Sequence, residues 1–410
     1  MRLGAVERTL HYSLEFKIKK RNMNVLIQLA HPAHFYYYKN TIKNLNARGH
    51  KVVIAITTKD ILEKLLIDSN VPYINIMKTT HKSSKIGYLF DMIVRCMRIL
   101  HLCLKHKIDI LTGSTIEISM IGWLLRKPAI NIGEDDAAVV QKYIKMVAPF
   151  IDVRLTPVVC NDGQLEPHSV HYPSNMELGY LHPNHFTADK SVVEAYGIDT
   201  TKPYFVMRFA SLKAHHDDGI KGINTQVAQR LVDILSPHGQ IYITSERELE
   251  PQFEPYRIRI NPLDMHHVMA FASLYIGDSQ TMAAEAGVLG TPFVRFNDFV
   301  GRIGYLRELE DDYELGYGIH ASPLTEDSPI RRNDGSLQPS GTESLYSAVE
   351  TLVAMPADER KALFTARREK MLHDKIDYAK YLTWFIENYP ASAKETRDNQ
   401  QNSDFWQQFK

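Results

Sequence analysis

A run of small polar residues followed by a glutamate stands between two apolar segments in the second half of the chain. Asp278, Ser279, Gln280 and Thr281 follow an apolar run, and Glu285 comes six residues after Ser279. If a helix begins here, its free backbone N–H groups and the neighbouring hydroxyl groups would bind an anion such as phosphate. Glu285 would lie nearly two turns further on, where its carboxylate could accept both hydroxyl groups of a ribose. The alternative is that Asp278 and Ser279 only cap the helix.

Two histidines follow the first apolar run of the chain, in the sequence HPAHF. Imidazole titrates near neutral pH, so His34 or His31 could serve as the general base that takes a proton from an acceptor hydroxyl group. The alternative is that one of the two histidines caps the following helix or packs against its first turn.

Two cations follow another apolar run, in the sequence RFASLKAHHDD. Arg208 and Lys213 could neutralise a departing diphosphate, because a fixed positive charge is most useful where negative charge develops. The His and Asp residues at 215–218 are consecutive, and consecutive side chains rarely converge on one ion. No metal site is therefore predicted.

An acidic pair follows the run PAINIG. Glu134 and Asp135 could orient an acceptor or act as the base. We favour the alternative that they are acidic residues at the N-terminal turn of the next helix, where negative charge is stabilising.

The elements that would position these side chains form two similar halves. Short apolar runs alternate with helical patterns over 24–157, and the pattern restarts at 204 after an irregular stretch over 158–200. This alternation is typical of doubly wound α/β domains. Ligands of such domains bind beyond the carboxyl ends of the strands, which is where all the residues above occur. The predicted fold class is therefore α/β, with two Rossmann-like doubly wound domains facing a cleft.

The predicted strands are 24–30, 51–57, 71–76, 108–113, 128–133 and 152–157 in the first half, and 204–210, 239–245, 273–278 and 292–296 in the second. The predicted divisions are an N-terminal extension (1–22), an acceptor domain (23–175), a donor domain (176–375), a helix that crosses back over the first domain (376–390) and a polar, frayed tail (391–410).

Composition excludes several classes of protein. The chain has 410 residues, 44% of them hydrophobic, with 48 Lys+Arg against 48 Asp+Glu. These values exclude wholesale disorder, and a net charge of zero argues against a nucleic-acid partner. The three cysteines form no Cys-x-x-Cys pair, which favours reduced thiols and a cytoplasmic location. No apolar run approaches the length that would span a bilayer.

The predicted helix 86–106 has apolar residues at helical spacing and an excess of positive charge. Its flanks and remaining face carry Lys82, Lys85, Arg95, Arg98, Lys105 and Lys107, against the single acid Asp91. A basic amphipathic helix can lie on an anionic membrane, so peripheral contact with the inner face of the membrane is one interpretation. We favour the other, in which the apolar face packs in the core and the basic face is solvated.

The order Asp-Ser-x-x-x-x-x-Glu-Ala-x-x-x-Gly-x-Pro at 278–292 is similar to the donor-nucleotide motif of the GT-B superfamily. It resembles two members in particular, the lipid-linked N-acetylglucosaminyltransferase of peptidoglycan synthesis and the non-hydrolysing nucleotide-sugar 2-epimerases. The resemblance implies that Ser279 contacts phosphate, that Glu285 holds the ribose, and that Asn297 lies near the donor sugar.

Longer segments resemble the family known as domain of unknown function 354. They are HPAHFYYYKNTIKNLNARGHKV (31–52), VMRFASLKAHHDDGIKG (206–222) and GDSQTMAAEAGVLGTPFVRFNDFVGRIGYL (277–306). The resemblance covers most of the chain, but it implies a superfamily and not a reaction.

The predicted function is transfer of a sugar from a nucleotide-sugar donor to a glycan or lipid-linked acceptor in surface-polysaccharide assembly, with no cofactor and no metal. One alternative is a nucleotide-sugar epimerase or hydrolase, although the loop at 31–35 lacks the Gly-Thr-Arg-Pro-Glu pattern of the epimerases. The other alternative is a nucleotide-binding scaffold without catalysis, since fold alone does not establish activity.

Overall fold

The computed structural model describes residues 22–78, 85–210 and 221–410, which form two β-sheets flanked by helices. The first sheet contains β1 (Asn24–Leu29), β2 (Lys51–Thr57), β3 (Ile74–Met77), β4 (Ile110–Gly113), β5 (Ala129–Ile132), β6 (Val153–Pro157) and β7 (Ser169–Tyr172). The second contains β8 (Tyr204–Phe209), β9 (Gln240–Ser245), β10 (Leu274–Gly277), β11 (Phe293–Phe296) and β12 (Gly316–Ile319).

The helices of the first half are α1 (Pro32–Ala47), α2 (Leu62–Asp68), α3 (Lys85–Lys105), α4 (Ile116–Leu125), α5 (Gln141–Val147) and α6 (Lys190–Glu194). Those of the second half are α7 (Thr225–Leu235), α8 (Met265–Phe271), α9 (Gln280–Leu289), α10 (Gly304–Arg307), α11 (Gly341–Ala354) and α12 (Ala357–Asp374), followed by α13 (Tyr378–Asn388), α14 (Ala391–Asp398) and α15 (Ser403–Gln407). Short 3-10 turns include Met176–Gly179 and Pro262–Asp264.

Both sheets are parallel and doubly wound. The strand order is β3-β2-β1-β4-β5-β6-β7 in the first and β12-β11-β10-β8-β9 in the second. The order reverses between β1 and β4 and between β8 and β10, and a crevice opens at such a reversal beyond the carboxyl ends of the strands. The predicted class, two Rossmann-like domains of the GT-B type, is confirmed.

Every predicted strand is present, but two short strands at sheet edges escaped prediction. β7 lies in the stretch that was predicted to be irregular, and β12 follows a turn of π-helix at Glu308–Asp312. Their sequences, SVHY and GYGI, each contain only two large apolar residues, too few to stand out as an apolar run. The predicted boundary after residue 175 falls between β7 and β8.

The two faces of the first sheet pack against different helices. Val25, Ile27 and Leu29 of β1 belong to a core cluster that includes residues of α1 and α13, whereas Leu26 belongs to a cluster with residues of α3 and α4. Alternate residues of a strand point to opposite faces, which explains this division. The first cluster continues into the second domain, where it includes Tyr275 of β10 and Phe293 of β11.

The predicted helix that crosses back is α13, which packs on α1. Glu387 lies 2.7 Å from Arg48 Nη1 and 3.0 Å from His50 Nε2, and Asn44 donates a hydrogen bond to Thr383 Oγ1 at 3.3 Å. The end of the chain thus returns to the first domain, as predicted.

The prediction of a frayed tail after residue 390 is wrong. Residues 391–410 include α14 and α15, and Phe405, Trp406 and Phe409 are buried. The rings of Trp406 and Phe409 lie 5.5 and 5.2 Å from that of Tyr381 on α13. The polar composition of this segment concealed three aromatic residues that supply an apolar face.

We expect Trp406→Ala to lower the free energy of unfolding by about 3–5 kcal/mol, because it removes a buried aromatic side chain. Gln407→Ala, at the adjacent exposed position, should change it by less than about 0.5 kcal/mol. Urea unfolding followed by circular dichroism measures both values. Equal, small effects of the two substitutions would contradict the packed tail.

Candidate functional site

The crevice of the second sheet contains the start of α9. The helix begins at Gln280, as predicted, and the Ser279 hydroxyl group caps it by accepting a hydrogen bond from the Met282 N–H at 3.5 Å. Ser279, Gln280 and Thr281 are half-buried, so this helix start is partly open to solvent. Gly277 directly precedes it, and a side chain there would overlap the hydroxyl group of Tyr275. The geometry is that of an anion site at a helix N-terminus.

Both carboxylate oxygens of Asp278 accept hydrogen bonds from backbone N–H groups. Its Oδ1 accepts a hydrogen bond from Ala210 N–H at 2.6 Å and its Oδ2 one from Ile223 N–H at 3.2 Å, and burial raises the pKa of Asp278 to about 6. Asp278 therefore fixes both ends of the loop that follows β8. Residues 211–220 of that loop, with the predicted Lys213 and the stretch 215–218, lie outside the described residues.

Asn297 is also engaged within the protein. Its side chain is fully buried, donates to the backbone oxygen of Asp278 at 2.9 Å and accepts from Phe299 N–H at 2.9 Å. Direct contact with a nucleotide sugar, which was predicted for Asp278 and Asn297, does not fit these bonds. We reassign both residues to positioning the loops around the helix start.

Glu285 is buried at the contact between the two domains. Its Oε1 accepts a hydrogen bond from the Tyr180 hydroxyl group at 2.7 Å and lies 2.9 Å from His266 Nε2. Tyr180 belongs to the connection between the sheets and His266 to α8. The second oxygen, Oε2, has no hydrogen-bond partner among the described residues, so it is free to accept a bond from a ligand.

Sequence reasoning missed Tyr180 and His266. The rings of Tyr36, Tyr180 and His266 lie 5.0 to 5.3 Å apart, and the Tyr36 hydroxyl group donates to Pro262 O at 2.9 Å. Because Tyr36 is on α1, this cluster joins the first domain to the second. No local spacing pattern marks these residues, since they come from three separate segments.

His34 and His31 lie in the crevice of the first sheet, after β1. His34 Nδ1 accepts a hydrogen bond from Ala30 N–H and His31 Nδ1 one from Ala33 N–H, both at 3.2 Å. In the neutral ring the hydrogen is then on Nε2. Burial, with the charges of His31 and Lys59, lowers the pKa of His34 to about 3.

Because Nδ1 of each ring accepts a hydrogen bond, the other ring nitrogen, Nε2, carries the hydrogen and can only donate. A ring nitrogen that already carries a hydrogen cannot accept a proton, so the predicted role of general base does not fit His34 or His31 in this arrangement. His31 caps α1, which is the alternative weighed above. His34 instead presents an N–H group at the crevice, suited to an acceptor hydroxyl or a phosphate oxygen.

Glu134 follows β5 at the same edge of the first sheet. Its Oε1 accepts a hydrogen bond from the Tyr37 hydroxyl group at 2.6 Å, and its Oε2 is buried with no partner among the described residues. Burial raises the pKa of Glu134 to about 8, and the negative charge of Asp135 adds to this effect. A carboxyl group with such a pKa can take up and release a proton near neutral pH.

The loops at the carboxyl edges of the two sheets touch each other. Asp136, after β5, accepts a hydrogen bond from Gly304 N–H of the second domain at 2.6 Å and one from Asn161 N–H at 3.0 Å. Asp135 is half-buried between Glu134 and Asp136. The acidic segment thus helps to hold the two domains together. It does not form the first turn of the next helix, as was expected, because α5 begins only at Gln141.

Glu177 is a second buried carboxyl group that sequence reasoning missed. Its side chain is inaccessible to solvent, and neither oxygen bonds another described residue. Burial and the neighbouring charge of Glu134 raise the pKa of Glu177 well above its usual range. It lies in the stretch predicted to be an irregular linker, where no pattern drew attention to a single glutamate.

Two arginines stand at the ends of β8 and β9. Arg208 is half-buried, forms an ion pair with Glu246 at 2.6 Å, and has a buried Nε that makes no hydrogen bond with another described residue. Arg247, which sequence reasoning did not identify, donates to Ile223 O at 2.9 Å and lies over the ring of Phe209. The loop after β8 therefore begins between two positive charges.

Two parallel Rossmann-like domains, in contact through the loops at their carboxyl edges, define a protein of the GT-B fold. The chain belongs to the family described as Protein of unknown function (DUF354), whose sequence profile matches residues 23–298. This confirms the resemblance of the longer segments. No curated protein matches the chain.

Solved structures with this fold include both transferases and epimerases. UDP-GlcNAc 2-epimerase from Neisseria meningitidis, bound to UDP-GlcNAc, is 11% identical with a TM-score of 0.57, over 93% of this chain and 100% of that one. The spinosyn forosaminyltransferase SpnP is 12% identical with a TM-score of 0.57, over 88% and 97%. The spinosyn rhamnosyltransferase SpnG, complexed with thymidine diphosphate, is 13% identical with a TM-score of 0.56, over 89% and 100%.

The pKa of Glu134 predicts a change of stability with pH. The folded protein holds this proton up to about pH 8, whereas an ordinary glutamate releases it near 4.5. Because the folded pKa is the higher one, this contribution to stability is full below pH 4.5 and is lost as the pH rises to 8. Glu134→Gln should therefore flatten the fall in unfolding free energy over this range.

The measurement is urea unfolding of wild type and Glu134→Gln at several pH values between about 5 and 8. Glu326→Gln, at an exposed position, is the matched control and should keep the wild-type slope. Parallel curves for wild type and Glu134→Gln would show that the folded state does not retain this proton.

Proposed function

We propose that this protein is a nucleotide-sugar-dependent glycosyltransferase. The observation that carries the proposal is the pairing, at one cleft, of an anion-binding helix start with a buried carboxylate that has one open oxygen. The helix start is that of α9, and the carboxylate is Glu285, two turns along the same helix.

On the donor side, the diphosphate would lie at the start of α9. The backbone N–H groups there and the hydroxyl groups of Ser279 and Thr281 would bind its oxygens. Glu285 Oε2 would accept the ribose hydroxyl groups. Arg208, whose Nε has no hydrogen-bond partner in the part of the chain that the structure describes, would stabilise the charge that builds on the diphosphate as it leaves, a role that Lys213 would share.

On the acceptor side, Glu134 is a better candidate for the general base than His34 or His31. The acceptor oxygen would attack the anomeric carbon, its proton would pass to Glu134 Oε2, and the bond from that carbon to the diphosphate would break. With a pKa of about 8, Glu134 acts as the base in its ionised form, whose share grows as the pH rises towards 8. His34 would hold the acceptor oxygen through its Nε2–H.

The acceptor that we propose is a glycan or a lipid-linked sugar of surface-polysaccharide assembly. The resemblance of 278–292 to the motif of a lipid-linked transferase supports this class. The exposed apolar side chains of α3, which would suit a lipid-linked acceptor, support it as well.

A second candidate is a nucleotide-sugar epimerase or hydrolase. The presence of two buried carboxyl groups with raised pKa, Glu134 and Glu177, favours it, because such a pair could exchange a proton at a sugar carbon. Incubation of the nucleotide sugar in D2O separates the two functions. Deuterium at the sugar's C2 without an acceptor would indicate epimerisation, whereas acceptor-dependent release of nucleotide would indicate transfer.

The donor site predicts tight binding of one class of nucleotide. In a thermal-shift panel of UDP, ADP, GDP, CDP, TDP and CMP, one nucleotide at a hundredfold excess over Kd should stabilise the protein by about 2.7 kcal/mol. Glu285→Gln should weaken the binding of that nucleotide roughly 10- to 100-fold, because the charged carboxylate that accepts the ribose hydrogen bonds becomes a neutral amide. Glu343→Gln, at an exposed position on α11, should leave the affinity unchanged. Stabilisation by none of the nucleotides would remove the donor site.

The proposed base predicts a loss of turnover without a loss of donor binding. Glu134→Gln should lower kcat for acceptor-dependent nucleotide release by roughly 10²- to 10⁴-fold while the Kd of the nucleotide stays within twofold. The assay follows nucleoside diphosphate release from the matching nucleotide sugar, with a lipid extract and a glycan extract as acceptors. Nucleotide binding without turnover on either extract would favour the non-catalytic alternative.

A further inference from the structure

Helix α3 exposes a stripe of large apolar side chains. The stripe consists of Ile86, Leu89, Phe90, Ile93, Met97 and Leu104, which are between 51% and 82% exposed. Their spacing places them on one side of the helix. The opposite side is buried, since Ile99, Leu102 and Cys103 pack against the first sheet. The helix is therefore apolar on both sides, and the expectation that its apolar face packs only in the core is wrong.

The neighbouring helix α4 extends this apolar character. It packs against α3 and exposes Trp123 (62%) and Leu124 (55%) near its end. The Trp123 ring lies edge-on to Phe150 at 5.6 Å, which holds it in place. We call the exposed stripe of α3 together with Trp123 and Leu124 the α3–α4 face. A soluble helix normally covers such residues or replaces them with polar ones.

The charges that α3, α4 and α5 expose, with those just beyond their ends, are positive. Exposed cations on and just beyond α3, α4 and α5 are Arg98, Lys105, Lys107, Arg126, Lys142 and Lys145. The acids of these helices, Asp91 and Glu117, are buried, and Glu117 is paired with Arg95 at 2.5 Å. Among the described residues, these three helices thus present basic charge and no exposed acid.

We propose that the α3–α4 face docks on an anionic lipid bilayer. Apolar side chains that enter the acyl boundary, flanked by lysines and arginines at the level of the headgroups, are what a basic interfacial helix requires. Trp123 adds an indole ring, which favours the interface. Two copies of this chain would instead bring two basic faces together, and like charges oppose such a dimer.

The contact is peripheral. No helix of the described ranges has the length and apolarity to cross a bilayer, α3 included. The most exposed residue, Ile86, stands at the start of α3, which follows β3 at the carboxyl edge of the first sheet. Docking through this end would bring that edge, and with it His34 and Glu134, towards the lipid surface.

The test is flotation of the full chain with vesicles in a sucrose gradient. Vesicles of equal parts phosphatidylglycerol and phosphatidylethanolamine should carry the protein, and phosphatidylcholine vesicles should not. Binding should fall as salt rises from about 0.1 to about 0.5 M, because the headgroup attraction is screened. Neither result depends on the proposed transferase activity, since no substrate is present.

Two paired variants identify the surface. Leu89→Gln with Ile93→Gln should weaken vesicle partitioning about tenfold or more, as should Lys105→Gln with Lys145→Gln at low salt. Leu363→Gln and Lys361→Gln, at exposed positions on α12, are the matched controls and should bind as wild type. The substituted positions are exposed, so the fold is retained, which circular dichroism verifies.

Two outcomes would overturn the proposal. The first is vesicle binding that the α3 variant does not change. The second is no vesicle binding, together with a dimer in analytical ultracentrifugation that Leu89→Gln with Ile93→Gln dissociates. The second outcome would assign the face to another copy of the chain.

Discussion

The arrangement of the two domains depends on one buried carboxylate, that of Glu285. A carboxylate removed from water is costly unless hydrogen bonds compensate it. Here Tyr180 and His266 supply them at 2.7 and 2.9 Å. These residues belong to the connection between the sheets and to α8, so the bonds tie α9 to both. Tyr36 adds a contact from α1, and the crevices of the two sheets consequently meet in one orientation.

Charge is distributed unevenly across the cleft. Glu134 and Glu177 stand on the side of the first domain, and burial raises the pKa of both carboxyl groups, that of Glu134 to about 8. Two ionised carboxylates there would repel an incoming diphosphate, and protonation relieves that repulsion. Arg208 and Arg247 supply positive charge on the side of the second domain. The cleft thus has arginines on one side and two buried carboxyl groups with raised pKa on the other.

The two faces of the first sheet are covered by different layers of helices. One face is covered by α1, α13 and the folded tail, and Arg397 of that tail donates a hydrogen bond to Ser169 O of β7 at 3.1 Å. The other face is covered by α3 and α4, whose own outer sides are left apolar and surrounded by positive charge. The domain that would receive the acceptor therefore carries the surface suited to lipid.

The sequence by itself determined the α/β class, the principal strands, and the start of α9, because hydrophobic period and helix capping act between residues near one another in the chain. It also placed His34 and Glu134 at strand ends. Only the tertiary structure decided what these side chains do. The bond from Ala30 N–H turns His34 into a donor, and burial gives Glu134 its proton. The apolar stripe of α3 is the same kind of case: spacing shows that a helix has an apolar side, but only long-range packing decides whether anything covers it.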